Sequence, residues 1–121
     1  MVLHSLEALP SEAVGLLGGY VDGRVVMAIP LPNIAGSRAF WADPLAQYHA
    51  ERELRARGLT SVAAYHSHPG GGDELSAADR ALAPVALQVV IGLGCEDHPE
   101  PRMRAYWVRD GSAIEVAIRT A

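Results

Sequence analysis

Apolar and polar positions fall into short blocks along this chain, and each block has the length and punctuation of one secondary-structure element. Leu3, Leu6 and Leu9 recur at helical spacing before Pro10, which predicts a short N-terminal helix with a leucine face. Two apolar runs, AVGLLGGYV and RVVMAIPL, flank Asp22-Gly23, a hairpin signal because both turn positions tolerate positive φ. Pro30 and Pro32 stop the second of these strands or hold it at a sheet edge, since proline cannot donate to a ladder. Asn33 to Trp41 reads as loop.

Asp43-Pro44 opens a helix, aspartate as N-cap and proline at the first helical position, that runs to Gly58 with arginines in its last turn. Leu59 to His68 is apolar enough for a central strand, broken by Pro69 and three glycines. A second helix begins at Ser76 and ends near Pro84; Val85 to Leu93 reads as a buried strand. A last hairpin, MRAYWVR and SAIEVAI, closes on Asp110-Gly111. The order is α-β-β-α-β-α-β-β-β, a single α/β domain over residues 1–121.

The chemistry concentrates between His66 and Asp79. Side chains at i and i+2 of a strand share a face, so His66 and His68 can converge on one ion. Ser76 and Asp79, three apart at a helix start, share a face of that helix. A strand end with two histidines, a tight loop and a helix returning an aspartate can assemble His-His-Asp on one metal and leave a fourth position for water. Each half has a plainer reading: an accidental histidine pair, and an N-cap serine with an acidic first turn. Asp73 and Glu74 read as solvated loop charges, His4 and His49 as unpartnered surface residues on helices. Trp41, Tyr65, Tyr106 and Trp107 read as core or half-buried packing.

Composition narrows the chemistry further. The only cysteine is Cys95, so a disulfide, a CxxC pair and a Cys-rich zinc finger are excluded. Cys95 with His98 could form a nucleophile pair, but following a buried strand it reads as a lone core thiol. All ten basic residues are arginine, which excludes a lysine Schiff base and a P-loop lysine. A net charge of −4 leaves no basic footprint for nucleic acid. The first residues lack a basic n-region, and the longest apolar stretch, Ala81 to Cys95, falls short of the roughly 18 to 20 residues of a membrane span. The expectation is a soluble cytoplasmic protein, monomer or homodimer, without membrane or nucleic-acid partners. No H-x-E followed by P-C-x-x-C is present, which removes a zinc deaminase reading.

His66-x-His68, seven residues, then Ser76-x-x-Asp79 resembles, without a gap, the motif of the JAMM (MPN-plus, Mov34) metalloproteases. Pro10-Ser11-Glu12 leading into GLLG, PLPN at 30–33 and Phe40 to Pro44 also resemble that family, over about residues 3–119. Leu75 and Val14 stand where the family commonly has proline and cysteine, neither of them ligand positions. The resemblance implies a three-layer, cytidine-deaminase-like sandwich, a mixed sheet flanked by helices. It implies one Zn2+ per chain on His66, His68 and Asp79 with a bound water, Glu12 as general base in preference to Glu7, and Ser76 as oxyanion donor. It further implies peptide or isopeptide hydrolysis beside the Gly-Gly tail of a ubiquitin-like sulfur-carrier protein, the tail added along a sheet edge. Two other readings stay open: a metal-free scaffold module that binds partners, and an enzyme inactive until a partner orders Gly70-Gly71-Gly72.

Overall fold

The computed structural model describes residues 1–34, 42–77, 79, 87–94 and 100–119. Helix α1 is Val2–Glu7 and helix α2 Pro44–Ala56. The strands are β1 Val14–Gly19, β2 Val25–Leu31, β3 Thr60–His68, β4 Leu87–Gly92, β5 Arg102–Arg109 and β6 Ser112–Val116. They form one sheet in the order β2-β1-β3-β4-β5-β6. Among the described strands β3 and β4 run parallel and the other neighbours antiparallel, so the sheet is mixed. The parallel pair needs a crossover between His68 and Leu87, the stretch in which the sequence predicts a helix from Ser76. Ala77 and Asp79 are helical; the rest of that segment, like Trp41, Cys95 and His98, lies outside the described residues.

Both aspartate–glycine turns form as their residues dictate. Asp110 and Gly111 both have positive φ, 51° and 78°, which matches the twist of a two-residue hairpin. The first hairpin turns through Gly23 at φ 93°, closed by Tyr20 N–H donating to the Arg24 carbonyl at 2.9 Å. β2 is an edge strand, which is where Pro30 costs no ladder bond. Asp43 caps α2, its carboxylate accepting from the Leu45 amide at 3.0 Å.

Helices α1 and α2 pack on opposite faces of the sheet, giving three layers. On one face Ala46 and Ala50 of α2 lie against Val14, Leu16, Leu31 and Ala64. On the other, Met1 and Val2 join Leu17, Ala63, Tyr65, Val89, Ile91 and Ala105. The predicted leucine face of α1 is corrected here. Leu3, Leu6 and Leu9 are 69%, 47% and 46% exposed, and the helix buries Ser5 with Val2 instead. Helical spacing finds a stripe but does not say which stripe meets the sheet. Ser5 fits inside because its hydroxyl donates to the Met1 carbonyl at 2.9 Å.

His4 is a second correction. Its Nδ1 lies 2.8 Å from the hydroxyl of Tyr65, a residue with no exposed surface, and the rings meet edge to face. Burial pushes the Tyr65 phenol up to about 12 and, as the main cause, lowers the His4 imidazole. Gly15 faces the Tyr65 ring so closely that an added methyl would collide with it, so this glycine makes room for the tyrosine. Tyr106 is buried, Trp107 is 47% exposed, and His49 is exposed on α2. Among the described residues no helix is long and apolar enough to cross a membrane.

Candidate metal centre

β3 delivers the two histidines. His66 and His68 continue the face on which Ala64 meets α2, at the C-terminal end of the strand. His66 is wholly buried and His68 partly so. Their Nε2 atoms are 3.2 Å apart. Asp79 closes a triangle, its Oδ2 being 3.2 Å from His66 Nε2 and 3.0 Å from His68 Nε2. Ligands about 2.0 to 2.1 Å from a tetrahedral ion stand about 3.3 Å from one another, so this triangle has the size of one face of a zinc site. Two imidazoles and a carboxylate are also a zinc donor set. The residues present fit the ion.

Two of the three ligands, His68 and Asp79, are held from behind. The Nδ1–H of His68 donates to the Gly72 carbonyl at 3.0 Å, which turns Nε2 toward the triangle. The Ser76 amide donates to Asp79 Oδ2 at 2.9 Å, and the Asp79 amide donates back to Ser76 Oγ at 3.0 Å. This reciprocal pair is a capping box with aspartate in the acidic place. It leaves the hydroxyl hydrogen of Ser76, an exposed residue, for an incoming acceptor.

Three acceptor atoms this close repel unless a cation or proton lies between them. The hydrogen bond that His68 donates to Asp79 raises the His68 pKa above its ordinary value against the opposing effect of burial. Burial works to raise Asp79, but hydrogen bonds from His66 and His68 outweigh it and hold the carboxyl well below the carboxylate range. Stability from His68 is therefore complete below the ordinary imidazole value of 6.5 and is lost as pH rises through its raised value. Stability from Asp79 is present above 3.8 and is lost as pH falls through its depressed value. Chelator-treated protein should melt at its highest temperature between these limits, and Asp79→Asn should flatten the profile. An unchanged profile in that variant would show that the pair is not coupled.

Glu12 sits beside the triangle although it is far from it in sequence. β1 and β3 pair Val14 with His66, and continuing that register by two residues puts Glu12 across from His68 on the same face. Its backbone is fixed on both sides. The Asn33 side-chain amide donates to its carbonyl at 2.9 Å, and the next amide, of Ala13, donates to Ser67 Oγ at 2.8 Å. Glu12 is 8% exposed; burial, the largest cause, pushes its pKa up, His68 draws it down and Asp79 pushes it up again. Glu7 is exposed at the end of α1, whose packing is on the opposite face.

Ser67 and Asn33 were not singled out from the sequence as site residues. The signal for Ser67 was present: a polar residue alternating with histidines on a central strand points into the opposite, buried face and must find a partner there. Asp73 was misread. It is 8% exposed and its carboxylate pairs with Arg104 at 3.2 Å, so it is a held residue and not a solvated charge. Glu74 is exposed as expected. A cavity of about 210 Å3 opens beside the loop, walled by Gly70, Gly71, Gly72, Gly92 and Gly94 with Asp73, Glu100 and Arg102. Bare backbone there lets an extended chain approach closely.

The sequence model of the prokaryotic homologs of the JAB domain matches residues 1–109. The chain belongs to the prokaryotic JAB family. The resemblance to JAMM proteins and the expected α/β sandwich with a mixed sheet are thereby borne out. Over 70 residues the chain is 46% identical to the "probable TtuB-protein conjugate cleaving protease" of Thermus thermophilus, covering 56% of this chain and 46% of that protein. It is 33% identical over 105 residues to a desampylase of Haloferax volcanii, covering 84% of this chain and 73% of that protein. The match thus spans about half the length of the first relative. The solution structure of a Desulfitobacterium hafniense protein superposes with a TM-score of 0.84 at 31% identity, over 96% of this chain and 82% of that one. A JAB1/MPN domain protein from Archaeoglobus fulgidus shares the fold at a TM-score of 0.58 and 20% identity, over 95% of this chain and 86% of its own.

Proposed function

We propose that this JAB-family chain is a zinc-dependent hydrolase that cuts the peptide or isopeptide bond joining a ubiquitin-like protein tail to its target. The observation that carries the reading is the triangle of His66 Nε2, His68 Nε2 and Asp79 Oδ2, with edges of 3.0 to 3.2 Å, beside buried Glu12. Two relatives named for conjugate cleavage and as a desampylase support the reaction class. A modifier ending in Gly-Gly is our reading of the substrate, because a tail without side chains can pass close to the metal along backbone such as the glycine loop.

His66, His68 and Asp79 would hold the ion, which as a Lewis acid would bring the pKa of a water beside it down to near neutrality. Glu12 takes a proton from the attacking water as that oxygen adds to the scissile carbonyl carbon. As the carbon–nitrogen bond breaks, the same carboxyl returns the proton to the leaving amine. A base whose pKa is pushed upward by burial is better matched to both halves of this work than an ordinary glutamate. Ser76 donates its hydroxyl hydrogen to the oxygen on which charge develops, a contribution of about 3 to 4 kcal/mol in such sites. Its oxygen is already fixed by the Asp79 amide, so the donor is oriented before substrate arrives.

The direct experiment incubates the protein with fusions of Gly-Gly carrier proteins to a lysine-bearing target, with zinc, after chelation, and after zinc is returned. Cleavage after the terminal glycine, lost on chelation and restored by zinc, is the expected result. Cleavage that survives chelation removes the metal from the mechanism. Zinc binding without cleavage of any fusion removes the substrate.

A further inference from the structure

Three consecutive glycines precede the ligand-bearing helix, and glycine loses more conformational freedom on ordering than any other residue. Gly70, Gly71 and Gly72 are not there for left-handed backbone, since none has a φ in that range. A methyl added at Gly70 or Gly72 would meet nothing within 4 Å, and one at Gly71 would make only an ordinary contact with His68. Side-chain packing at these three positions therefore does not fix the loop. Yet position matters, because the Gly72 carbonyl sets the His68 ring and the loop leads directly to Ser76 and Asp79.

The holding comes from β4 and β5. Gly92 on β4 touches the loop face to face: a Cβ there would lie 2.6 Å from the Gly72 carbonyl carbon, 2.8 Å from its oxygen and 2.9 Å from the Gly71 oxygen. One residue on, the Leu93 amide donates to the His68 carbonyl at 3.2 Å. From β5, the Tyr106 hydroxyl donates to the Asp73 carbonyl at 3.0 Å in a buried hydrogen bond. Arg104 Nε reaches the Asp73 carboxylate at 3.2 Å and Glu115 of β6 at 3.8 Å. Leu75 then buries itself among Val90, Tyr106 and Val108. Every described residue from Gly72 to Leu75, save exposed Glu74, is thus anchored to the far half of the sheet.

We propose that Gly92, Arg104 and Tyr106 are positioning residues that set the metal affinity of the centre by holding this loop against His68. The inference rests on the reading of His66, His68 and Asp79 as metal ligands. It predicts that groups with no access to the ion control its binding, as partners behind metal ligands do. Tyr106→Phe keeps the ring in the core and removes only the donor; Arg104→Gln removes the guanidinium and with it the pairing to Asp73. Gly92→Ala should have the larger effect but could disturb the sheet, so the test is built on the other two.

Zinc affinity is measured by competition with a chromophoric chelator, for the wild type and the Tyr106→Phe/Arg104→Gln double variant. Metal-free melting temperature and the nitrogen shifts of His68 are recorded alongside, the latter at alkaline pH where the imidazole is neutral. The expected result is zinc binding weaker by about 10- to 100-fold, with little change in metal-free melting temperature. The wild-type His68 should hold its proton on Nδ1, and the variant should show a mixture of tautomers. Wild-type zinc affinity in the double variant overturns the proposal, as does a loss of affinity matched by general destabilisation. A wild type that takes up no zinc removes the metal reading instead. The His68 tautomer then still decides whether β4 and β5 hold the loop: an unchanged tautomer in the variant refutes it.

Discussion

Glu12→Gln is expected to lower the rate of conjugate cleavage by about 100- to 10,000-fold, the range over which a positioned general base contributes. The amide matches the carboxylate in shape, and the backbone of residue 12 is pinned by Asn33 and, through Ala13, by Ser67, so the fold should not move. Glu12 is not a member of the His66-His68-Asp79 group, so zinc binding should stay at the wild-type level. The loss belongs in kcat, because the carboxyl acts on a proton in flight and not on the bound substrate. The acidic limb of the wild-type pH profile should be shifted upward from that of an ordinary glutamate, since burial raises the Glu12 pKa, and should vanish in the variant. Rates and zinc content measured on the same preparation check this. Equal cutting by both proteins would move the base elsewhere, with Glu7 the next carboxylate to try.

His68→Ala and Asp79→Ala are expected to abolish cleavage by a different route, through loss of the ion. Each removes one corner of a triangle whose edges are 3.0 to 3.2 Å. Zinc affinity should fall by more than the roughly 10- to 100-fold that loss of a group behind a ligand costs. The two variants should differ in stability. Asp79→Ala also removes the acceptor for the Ser76 amide, a capping contact worth about 1 kcal/mol, whereas His68→Ala leaves the capping box intact. Zinc content after dialysis and metal-free melting temperature separate these effects. Retention of a full equivalent of zinc by either variant would contradict the assigned ligand set. Glu12→Gln and these two together distinguish a dead enzyme that holds its metal from one that has lost it.

Much of the fold was legible because local rules govern it. The two aspartate–glycine turns, the Asp43 cap and the edge position of β2 follow from residues a few places apart. So does the shared face of His66 and His68, which strand alternation dictates. The α1 leucines show where local rules stop: periodicity identified a helix, but the side that meets the sheet was decided by Ser5, Val2 and a hydrogen bond between His4 and a residue 61 positions away. Asp73 was misjudged for the same reason, since its partner Arg104 comes from β5.

The sequence by itself determined which residues could bind an ion and which strand and helix start would carry them. It did so because histidines at i and i+2 and a serine–aspartate pair at i and i+3 are fixed relative to each other by backbone geometry alone. Tertiary structure decided everything that joins distant segments. It set the antiparallel register that brings Glu12 across from His68, and the hydrogen bond that the Ala13 amide donates to Ser67 Oγ across 54 residues. It also set the anchoring of the glycine loop to β4 and β5. These contacts depend on which strands pair and in what register. Pairing is set by the burial of whole faces, not by any short stretch of chain.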